Sequence, residues 1–384
     1  MKKRIVFFTE ALYGGGVQRI LQIILSHFDY SHYDVTLYTV CKNVIRRDLF
    51  PKEVTYKYIF DVPNSDDSLL QKLWYKLKNK IKLSVYYHCN SKLYYRLFIR
   101  EKADIAIAFI EGYATRLVAG FPDKIKKIAW LHTDIINNHW SKVAFRDMLE
   151  EQKLYRNSFE KIVCVSKVVL QNLITFAGKV DGACILYNPT DNHFIISQAN
   201  QNAELLGTHE DGIRLISLGS LIDVKGYDRL LAVVAKLRDE GYRFKLYILG
   251  SGNKKRELKS YIRSHNLSSY AFILEFQDNP YPYLKWSDIY VCSSYAEGYN
   301  TAITEALVLG KAVVSTECSG IKEQLGEHNE WGICVPNSEE GLYDGLKQML
   351  NPDILDYYTR QASIRGKDFT LEKSMNEIYK LIEG

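Results

Sequence analysis

Short runs rich in valine, isoleucine and phenylalanine alternate with amphipathic helical patterns along most of the chain. In the first half, the predicted strands cover 4–9, 34–40, 54–60, 104–109, 126–131 and 161–165. In the second half, they cover 213–218, 243–249, 271–276, 288–293 and 312–315. Strands that alternate with helices form βαβ units, which build parallel sheets covered by helices. The sequence therefore predicts an α/β protein.

The domain organisation follows from the length and from one polar interruption. The chain has 384 residues, which is more than one ordinary domain and favours two. Residues 190–212 are polar and lack periodicity, so the linker is expected there. We therefore predict an N-terminal domain over 1–190 and a C-terminal domain over 191–365, with a helical segment after it.

Composition argues against several classes of protein. The chain has no run of 18 apolar residues, so no membrane-spanning helix is predicted. The apolar run Ile5–Phe8 is too short for a signal peptide. The seven cysteines include no Cys-x-x-Cys pair, which favours buried, reduced side chains over disulfides or a zinc site. A cytoplasmic protein is expected.

Positive charge is concentrated in the first half. Residues 1–190 contain 29 Lys and Arg against 18 Asp and Glu, whereas residues 191–384 contain 21 against 27. The segment from Leu69 to Arg100 holds eight basic residues, seven aromatic residues and no acidic residue. Its apolar residues form one helical stripe, made of Leu70, Leu73, Trp74, Leu77 and Ile81.

A basic amphipathic helix of this kind suits binding to an anionic membrane surface. The alternative is a helix whose apolar stripe faces the core and whose basic back is solvated. Nucleic acid is not expected, because no nucleic-acid-binding motif accompanies the charge.

Two glutamates, Glu297 and Glu305, stand eight positions apart around the start of a predicted helix. Glu297 precedes a glycine directly after the strand-like 288–293, at the strand end where open α/β sheets bind ligands. Glu305 falls on the same helix face as Thr301. The two carboxylates could hold a polyhydroxylated ligand by charge-assisted hydrogen bonds. A structural role stays open, because acidic residues near a helix N-terminus also stabilise the helix dipole.

Three further turns follow predicted strands. Gly14–Gly16 stand at the start of a helix after the first strand, where glycines allow an anion to approach the backbone closely. The dinucleotide fingerprint Gly-x-Gly-x-x-Gly is absent. Lys225 begins a helix predicted over 226–239, where a cation is disfavoured unless a phosphate shares the site. His132 ends another strand and could contact a sugar hydroxyl. Each of the three also fits a purely structural role.

Together, and in this order, these residues resemble the retaining glycosyltransferases of family 4, or glycosyl transferases group 1, which have the GT-B fold. Glu297 to Glu305 matches the Glu-x7-Glu motif of that family. Supporting matches are the Gly14–Gly16 loop with Gln18-Arg19, Val165-Ser166-Lys167, Asn188-Pro189, Gly219…Lys225-Gly226 and Leu249-Gly250-Ser251-Gly252. The resemblance implies two Rossmann-like domains facing across a cleft, with a helix at about 366–384 returning to the N-terminal domain.

The resemblance also implies roles for individual residues. In the C-terminal domain, Glu305 would bind the ribose of a nucleotide-sugar, Lys225 its diphosphate and Glu297 the transferred sugar. From the N-terminal domain, which would bind the acceptor, His132 would face the donor sugar. Further donor-binding residues would be Gly15, Gly16, Gly219, Ser220, Asn300 and Thr301.

The family needs neither a metal nor another cofactor, and this chain has no Asp-x-Asp motif. One departure concerns Ser220, which stands where family members commonly carry an arginine that shares the diphosphate with the lysine. Lys225 would then carry more of the leaving-group charge, unless Arg19 or Lys254 substitutes for the arginine.

The implied activity is transfer of a sugar from a nucleotide-sugar to a glycan or lipid-linked saccharide, with retention of the anomeric configuration, in cell-surface polysaccharide assembly. By family frequency, the donor is expected to carry a uridine nucleotide. Combined with the basic helix, this activity predicts a protein peripheral to the inner face of the cell membrane. One alternative is a nucleotide-sugar 2-epimerase of the same fold, which needs further acid and base residues. Another is a non-catalytic binding protein, which the Ser220 departure favours.

Overall fold

The computed structural model describes residues 2–10, 15–41, 49–201 and 212–384, and it forms two compact units. The first unit comprises Met1–Tyr187 together with Met375–Gly384, and the second comprises Asn188–Ser374. Sequence analysis places these boundaries at 190 and at about 366. The chain therefore enters the second unit slightly earlier, and returns to the first unit later, than predicted.

The first unit is built on a parallel sheet. Its strands are β1 (Lys3–Thr9), β2 (Tyr33–Cys41), β3 (Thr55–Phe60), β4 (Ile105–Ala108), β5 (Lys126–Leu131), β6 (Lys161–Cys164) and β7 (Ala183–Ile185). Its helices are α1 (Gly16–Ser26), α2 (Leu69–His88), α3 (Ser91–Tyr94), α4 (Tyr113–Ala119), α5 (Met148–Asn157) and α6 (Lys167–Ala177), with a π-helical segment Tyr95–Ile99 and a 3-10 turn Trp140–Ala144. In the described part of this unit, the seven strands pair in the order β3-β2-β1-β4-β5-β6-β7.

The second unit repeats this plan. Its strands are β8 (Ile213–Leu218), β9 (Phe244–Leu249), β10 (Ala271–Leu274), β11 (Ile289–Cys292), β12 (Ala312–Thr316) and β13 (Ile333–Val335). Its helices are α7 (Asn192–Ala199), α8 (Tyr227–Asp239), α9 (Lys255–Ser264), α10 (Tyr281–Trp286), α11 (Thr301–Val308), α12 (Ile321–Leu325), α13 (Glu339–Met349) and α14 (Pro352–Arg365), with 3-10 turns Asp223–Lys225 and Gly366–Asp368. The six strands described here are parallel, in the order β10-β9-β8-β11-β12-β13.

In both sheets the strand order reverses once, between β1 and β4 in the first unit and between β8 and β11 in the second. Ligands of open α/β sheets bind outside the carboxyl ends of the strands at such a reversal. The predicted parallel α/β architecture is confirmed. The strands β7 and β13 were not predicted, because three residues each are too few to show a pattern.

Helices cover both faces of the second sheet, which explains why its strands are apolar throughout. Leu215, Ile289 and Val291 enter one hydrophobic cluster. Their neighbours Ile216 and Tyr290 enter a separate cluster on the opposite face. Alternate side chains of β8 and β11 are therefore buried on opposite faces of the sheet. Polar side chains that could bind a ligand are left to the ends of these strands.

Helix α15 (Leu371–Glu383) returns the chain to the first unit. The aromatic rings of Tyr379 and Tyr33 stack with their centroids 5.9 Å apart. The Tyr379 hydroxyl accepts the backbone N–H of Asp29 at 2.8 Å, and Lys3 Nζ donates to the carbonyl of Ile382 at 3.3 Å. The predicted return of the C-terminal helix is therefore confirmed.

Helix α2 contacts the first unit through the face that carries Lys78, Asn79 and the buried Tyr86. Asn79 exchanges hydrogen bonds of 3.2 and 2.6 Å with the backbone of Asp61, and Lys78 pairs with the Asp61 carboxylate at 2.9 Å. The apolar stripe points outward, with exposed fractions of 79% for Leu70, 54% for Leu73, 62% for Trp74, 53% for Leu77 and 50% for Ile81. The alternative of a core-facing stripe with a solvated basic back is therefore wrong.

Part of the predicted linker is helical. In α7, Ile195 and Ala199 are buried and form a small cluster with Tyr281 of α10. The eight residues of α7 are too few to reveal their periodicity in a polar stretch. The rest of the predicted linker, 202–211, lies outside the described residues. Among the helices of the described part, none is long and apolar enough to cross a membrane.

Candidate functional site

Two turns meet at the carboxyl ends of β8 and β11, where the strand order of the second unit reverses. Gly226, in the turn after β8, has φ of +61°, and a Cβ there would lie 2.1 Å from the backbone oxygen of Ser293. Glycine tolerates both this conformation and this close approach. The contact brings Lys225, one residue earlier, beside Glu297 in the turn after β11.

Lys225 and Glu297 form an ion pair with Nζ and Oε1 2.7 Å apart. The same carboxylate oxygen accepts hydrogen bonds from Ser294 Oγ at 2.5 Å and Asn300 Nδ2 at 3.1 Å. The two charged side chains are 23% and 11% exposed. Burial disfavours the charge on Lys225, but the attraction of Glu297 outweighs it and raises the pKa of Lys225 above its usual value. Lys225 therefore stays charged at neutral pH.

Helix α11 begins beside this pair. Asn300 caps it, since Oδ1 accepts the backbone N–H of Ile303 at 3.2 Å, and Thr301 is its first residue. Glu305 lies on the next turn, where its Oε1 accepts the hydroxyl of Tyr281 at 3.1 Å. The first turn of α11 contains no acidic residue, and Glu297 lies outside the helix. Asn300, and neither glutamate, therefore caps the helix.

The turn at Gly219 and Ser220 lies against the turn that follows β9. The Gly219 N–H donates to the carbonyl of Leu249 at 3.1 Å, and a Cβ on Gly250 would lie 1.9 Å from the Gly219 oxygen. The backbones of the two turns are thus in direct contact, which explains the glycine at 250. Ser220 itself is exposed at the surface of the turn.

The structure also locates the two cations considered as substitutes for the missing arginine. Lys254 lies in the second unit, with its backbone N–H bonded to Leu221 of the β8 turn at 3.0 Å. Its Nζ pairs with Asp223 at 2.7 Å and with Glu257 at 2.9 Å. Arg19 belongs to the first unit. Of these two cations, Lys254 is therefore the one next to the Ser220 turn, although it already forms ion pairs with two carboxylates.

His132 directly follows β5 in the first unit and is only 7% exposed. Its ring is parallel to that of Trp130 at 6.0 Å and tilted against Phe109 at 4.9 Å. Burial lowers the pKa of His132 to about 3, although a hydrogen bond with the Phe109 backbone opposes the shift. Its Nε2 is buried and has no hydrogen-bond partner in the described parts of the chain. The imidazole is therefore neutral and has one nitrogen available for a ligand.

Sequence analysis missed two glutamates at the reversal of the first sheet. Glu10 follows β1, and its Oε1 accepts the backbone N–H of Tyr113 at 3.3 Å. Glu111 follows β4, and its Oε2 accepts the backbone N–H of His132 at 3.0 Å. Burial raises the pKa of both carboxyl groups, that of Glu10 to about 7. A signal was present, because Glu111 precedes a glycine directly after a strand, as Glu297 does.

Of the predicted glycine loop, Gly15 stands at the N-cap of α1 and Gly16 is its first helical residue. The Gly15 carbonyl accepts the backbone N–H of Arg19 at 3.0 Å. Gly14 lies outside the described residues. Lys225, Glu297 and Asn300 are thus in direct contact in the second unit, while His132, Gly15 and Gly16 belong to the first.

Residues 199–365 match the family profile described as Glycosyl transferases group 1. A relative in Campylobacter jejuni is the N-acetylgalactosamine-N,N'-diacetylbacillosaminyl-diphospho-undecaprenol 4-alpha-N-acetylgalactosaminyltransferase, which is 32% identical over 203 residues, or 52% of this chain and 53% of that enzyme. The chain thus spans about half the length of this relative. The amylovoran biosynthesis glycosyltransferase AmsK of Erwinia amylovora is 27% identical over 297 residues, or 73% of this chain and 70% of that protein.

Among solved structures, HepE of Anabaena in complex with UDP and glucose matches with a TM-score of 0.75 over 99% of both chains, at 16% identity. Identity this low supports a statement about the fold alone, and the predicted GT-B architecture is confirmed. The family profile adds information from the sequence. The residues it matches lie within the second unit, which carries Lys225, Glu297 and Glu305. Residues 199–365 are therefore similar to the glycosyl transferases group 1 domain.

Proposed function

We propose that the chain is a retaining glycosyltransferase that moves a sugar from a UDP-sugar to a lipid-linked saccharide at a membrane surface. The observation that carries the proposal is the 2.7 Å contact between Lys225 Nζ and Glu297 Oε1 at the strand reversal of the second unit. A nucleotide-sugar has an anionic diphosphate and several hydroxyl groups. A lysine and a carboxylate in contact provide one partner for each.

In this proposal, Lys225 binds the diphosphate while Glu297 accepts hydrogen bonds from hydroxyl groups of the transferred sugar. Glu305 accepts the ribose hydroxyls, and its bond to Tyr281 orients the carboxylate toward them. The backbone N–H groups of Asn300 and Thr301, at the start of α11, approach the phosphates. Gly219 and Ser220 border the diphosphate, and Gly15 and Gly16 contribute from the first unit.

The reaction breaks the bond between C1 of the sugar and the phosphate oxygen of the leaving group. A bond from C1 to the acceptor oxygen forms on the same face of the sugar, and the departing phosphate oxygen takes the acceptor proton. The protein contributes position and charge, and Lys225 stabilises the charge that develops on the phosphate. Because Lys225 supplies this positive charge, we propose that no metal or other cofactor is needed, even though Ser220 stands in place of the usual arginine.

His132 meets the donor sugar from the first unit in this proposal. Its low pKa keeps the ring neutral, and its buried Nε2 lacks a hydrogen-bond partner within the described residues. A neutral nitrogen of this kind suits a sugar hydroxyl better than a phosphate, since it brings no charge.

The outward stripe of α2 supports the membrane part of the proposal. The helix contacts its own domain through Lys78, Asn79 and the buried Tyr86, while the leucines and tryptophan of the stripe are exposed to solvent. Lys76 and Lys80, both exposed, flank this stripe. Apolar side chains and lysines side by side match the acyl boundary and the phosphate headgroups of an anionic bilayer.

The names of the relatives supply the substrate classes. The Campylobacter enzyme is named for a diphospho-undecaprenol-linked saccharide, AmsK for amylovoran biosynthesis, and HepE was solved with UDP. We extend these to a UDP-sugar donor and a polyprenyl-diphosphate-linked acceptor in cell-surface polysaccharide synthesis. The enzyme would then act in the cytoplasm, at the inner face of the cell membrane.

A thermal-shift screen against UDP-, GDP- and TDP-sugars tests the donor, because a ligand that binds only the folded state raises Tm. We expect a UDP-sugar to raise Tm, with and without EDTA, and NMR of the product to show retained anomeric configuration. If no nucleotide-sugar raises Tm, the proposed donor binding is contradicted and the non-catalytic alternative is favoured. If the donor changes without any acceptor, it is an epimerase.

Sedimentation with vesicles tests the membrane surface. We expect binding to vesicles that contain phosphatidylglycerol and no binding to pure phosphatidylcholine. The triple variant Leu73→Gln/Trp74→Gln/Leu77→Gln should lose this binding, and Lys76→Gln/Lys80→Gln should weaken it by about 1 kcal/mol per lysine. Ile364→Gln, at a 57% exposed position of α14, is the matched control. Unchanged sedimentation of the triple variant would contradict the proposal.

A further inference from the structure

Glu111 is a buried carboxylate at the strand reversal of the first sheet, and it is only 4% exposed. Its Oε2 accepts the backbone N–H of His132 at 3.0 Å, and its Oε1 accepts Nε1–H of Trp140 at 3.2 Å. One side chain therefore contacts both ends of the segment 132–140. That segment leads from β5 into the 3-10 turn Trp140–Ala144.

Burying a carboxylate costs free energy unless a cation or several hydrogen bonds compensate it. No lysine or arginine of the described ranges pairs with Glu111, and its compensation comes from N–H donors alone. Burial accordingly raises the pKa of Glu111 against the effect of those donors. An uncharged residue would suit this position better if packing were its only task.

The contacts of Glu111 converge on His132. The ring of His132 packs against Phe109, which comes two residues before Glu111 at the end of β4. Glu111 holds the backbone of His132, while Phe109 and Trp130 fix the plane of its ring. These contacts together set the direction of Nε2, the ring nitrogen that lacks a partner among the described residues.

The same segment has a second anchor that does not touch His132. Glu151, which is fully buried, binds His139 Nε2 at 2.7 Å and Ser141 Oγ at 3.2 Å. Glu111 and Glu151 are thus two buried carboxylates that hold one segment. They differ in that only Glu111 bonds to His132.

We propose that Glu111 is a positioning residue for sugar transfer, because its carboxylate holds the backbone of His132 so that Nε2 faces a substrate hydroxyl. This inference rests on the proposed role of His132 in the transfer reaction. Glu111 acts through His132 and touches no reacting atom. A small displacement of a positioned group can cost about 10²-fold in rate.

The test is a double-mutant cycle on the full chain, with initial rates for the UDP-sugar identified in the thermal-shift screen. Glutamine offers one acceptor oxygen where Glu111 now bonds two N–H donors, so its NH2 group must face one of the two N–H groups, and the segment that begins at His132 should shift. We expect kcat to fall about 10- to 100-fold while the donor KM changes by less than about threefold. In a His132→Ala background, the same substitution should have no further effect on kcat.

Glu151→Gln is the matched control, because it loosens the same segment without touching His132. We expect it to lower Tm about as much as Glu111→Gln and to change kcat by less than about threefold. If Glu111→Gln does not fold, Trp140→Phe, which removes one N–H donor to Glu111, enters the same cycle with a smaller expected loss of kcat.

Three outcomes would overturn the inference. They are an equal loss of kcat with and without His132, an equal loss in Glu151→Gln, and an unchanged kcat in Glu111→Gln. A different result bears on the proposed function instead. If His132→Ala transfers sugar as fast as the unmodified chain, the role of His132 itself is wrong.

Discussion

The two units carry the same short signal, a Glu-Gly pair in the turn that follows the strand at which the sheet order reverses. In the second unit, Glu297 bonds to the ammonium group of Lys225 at 2.7 Å. In the first unit, Glu111 bonds to the backbone of His132 and to Trp140. Identical local sequence thus gives a charge-balanced site in one unit and a site built from neutral donors in the other.

Because of this difference, the two strand ends favour different kinds of ligand. An ionised lysine and carboxylate attract a ligand that is both anionic and hydroxylated. The first unit instead keeps His132 neutral and raises the pKa of Glu10 to about 7, so burial there suppresses charge. A neutral polar edge favours hydroxyl groups over phosphates.

The largest expected effect comes from removing the cation of the second unit. Lys225→Ala would leave Glu297 without its ion-pair partner, as Glu111 is now, and would also remove the charge that stabilises the leaving phosphate. We expect kcat to fall by about 10²- to 10³-fold, with a smaller change in donor affinity. Steady-state kinetics with the UDP-sugar measure both.

Lys347→Ala is the control, because Lys347 pairs with Glu240 at 2.8 Å elsewhere in the same unit. Its kcat should match that of the unmodified chain. Equal losses of kcat and donor affinity in Lys225→Ala would show that Lys225 serves ground-state binding only.

A smaller effect is expected at the ribose end of the second site. Glu305→Ala should weaken UDP binding by roughly 1–3 kcal/mol, because a charged hydrogen-bond acceptor for the ribose is lost. Tyr281→Phe removes only the hydroxyl that donates to Glu305 at 3.1 Å, so about 0.5–1.5 kcal/mol is expected. Isothermal titration with UDP measures both variants. An unchanged affinity in Glu305→Ala would rule out the ribose contact.

The last expected effect is on stability and not on catalysis or binding, and it is a pH dependence in the first unit. The pKa of Glu10 rises from 4.5 to about 7 on folding, so the folded state binds the extra proton and stability falls as pH rises through this window. The pKa of His132 falls from 6.5 to about 3, so stability falls as pH drops below 6.5. The two slopes oppose each other between 4.5 and 6.5.

Urea unfolding between pH 4 and pH 8 measures these slopes. Glu10→Gln should remove the decline toward pH 7 and raise stability there by roughly 1–2 kcal/mol. The exposed Glu53→Gln is the control and should leave the curve unchanged. A curve for Glu10→Gln that is parallel to that of the unmodified chain would contradict the raised pKa of Glu10.

Much of the second site could be predicted from the sequence, because its signals are local. Glu297 stands at a strand end, and Glu305 follows at a helical spacing. Glu111 shows the same strand-end signal, but its bonding partners lie 21 and 29 residues away and include a backbone N–H that carries no sequence signature. Its importance therefore became visible only in the folded chain.

Helix α2 shows a different limit of sequence reasoning. Periodicity identified the apolar stripe, but periodicity alone does not say on which side the rest of the domain lies. The contact of Asn79 and Lys78 with Asp61 decides this, because it attaches the polar face and leaves the stripe outward. The helix was thus predictable, whereas its orientation depended on a partner from a loop before it.

The return of Met375–Gly384 to the first unit has a consequence for the order of folding. Domains generally fold as units during synthesis, N-terminal first. Here the burial of Tyr33 against Tyr379 must wait until the whole second unit has been made. The first unit to begin folding is therefore the last to be completed, and the second unit can form its own core while the first still exposes the surface that α15 will cover.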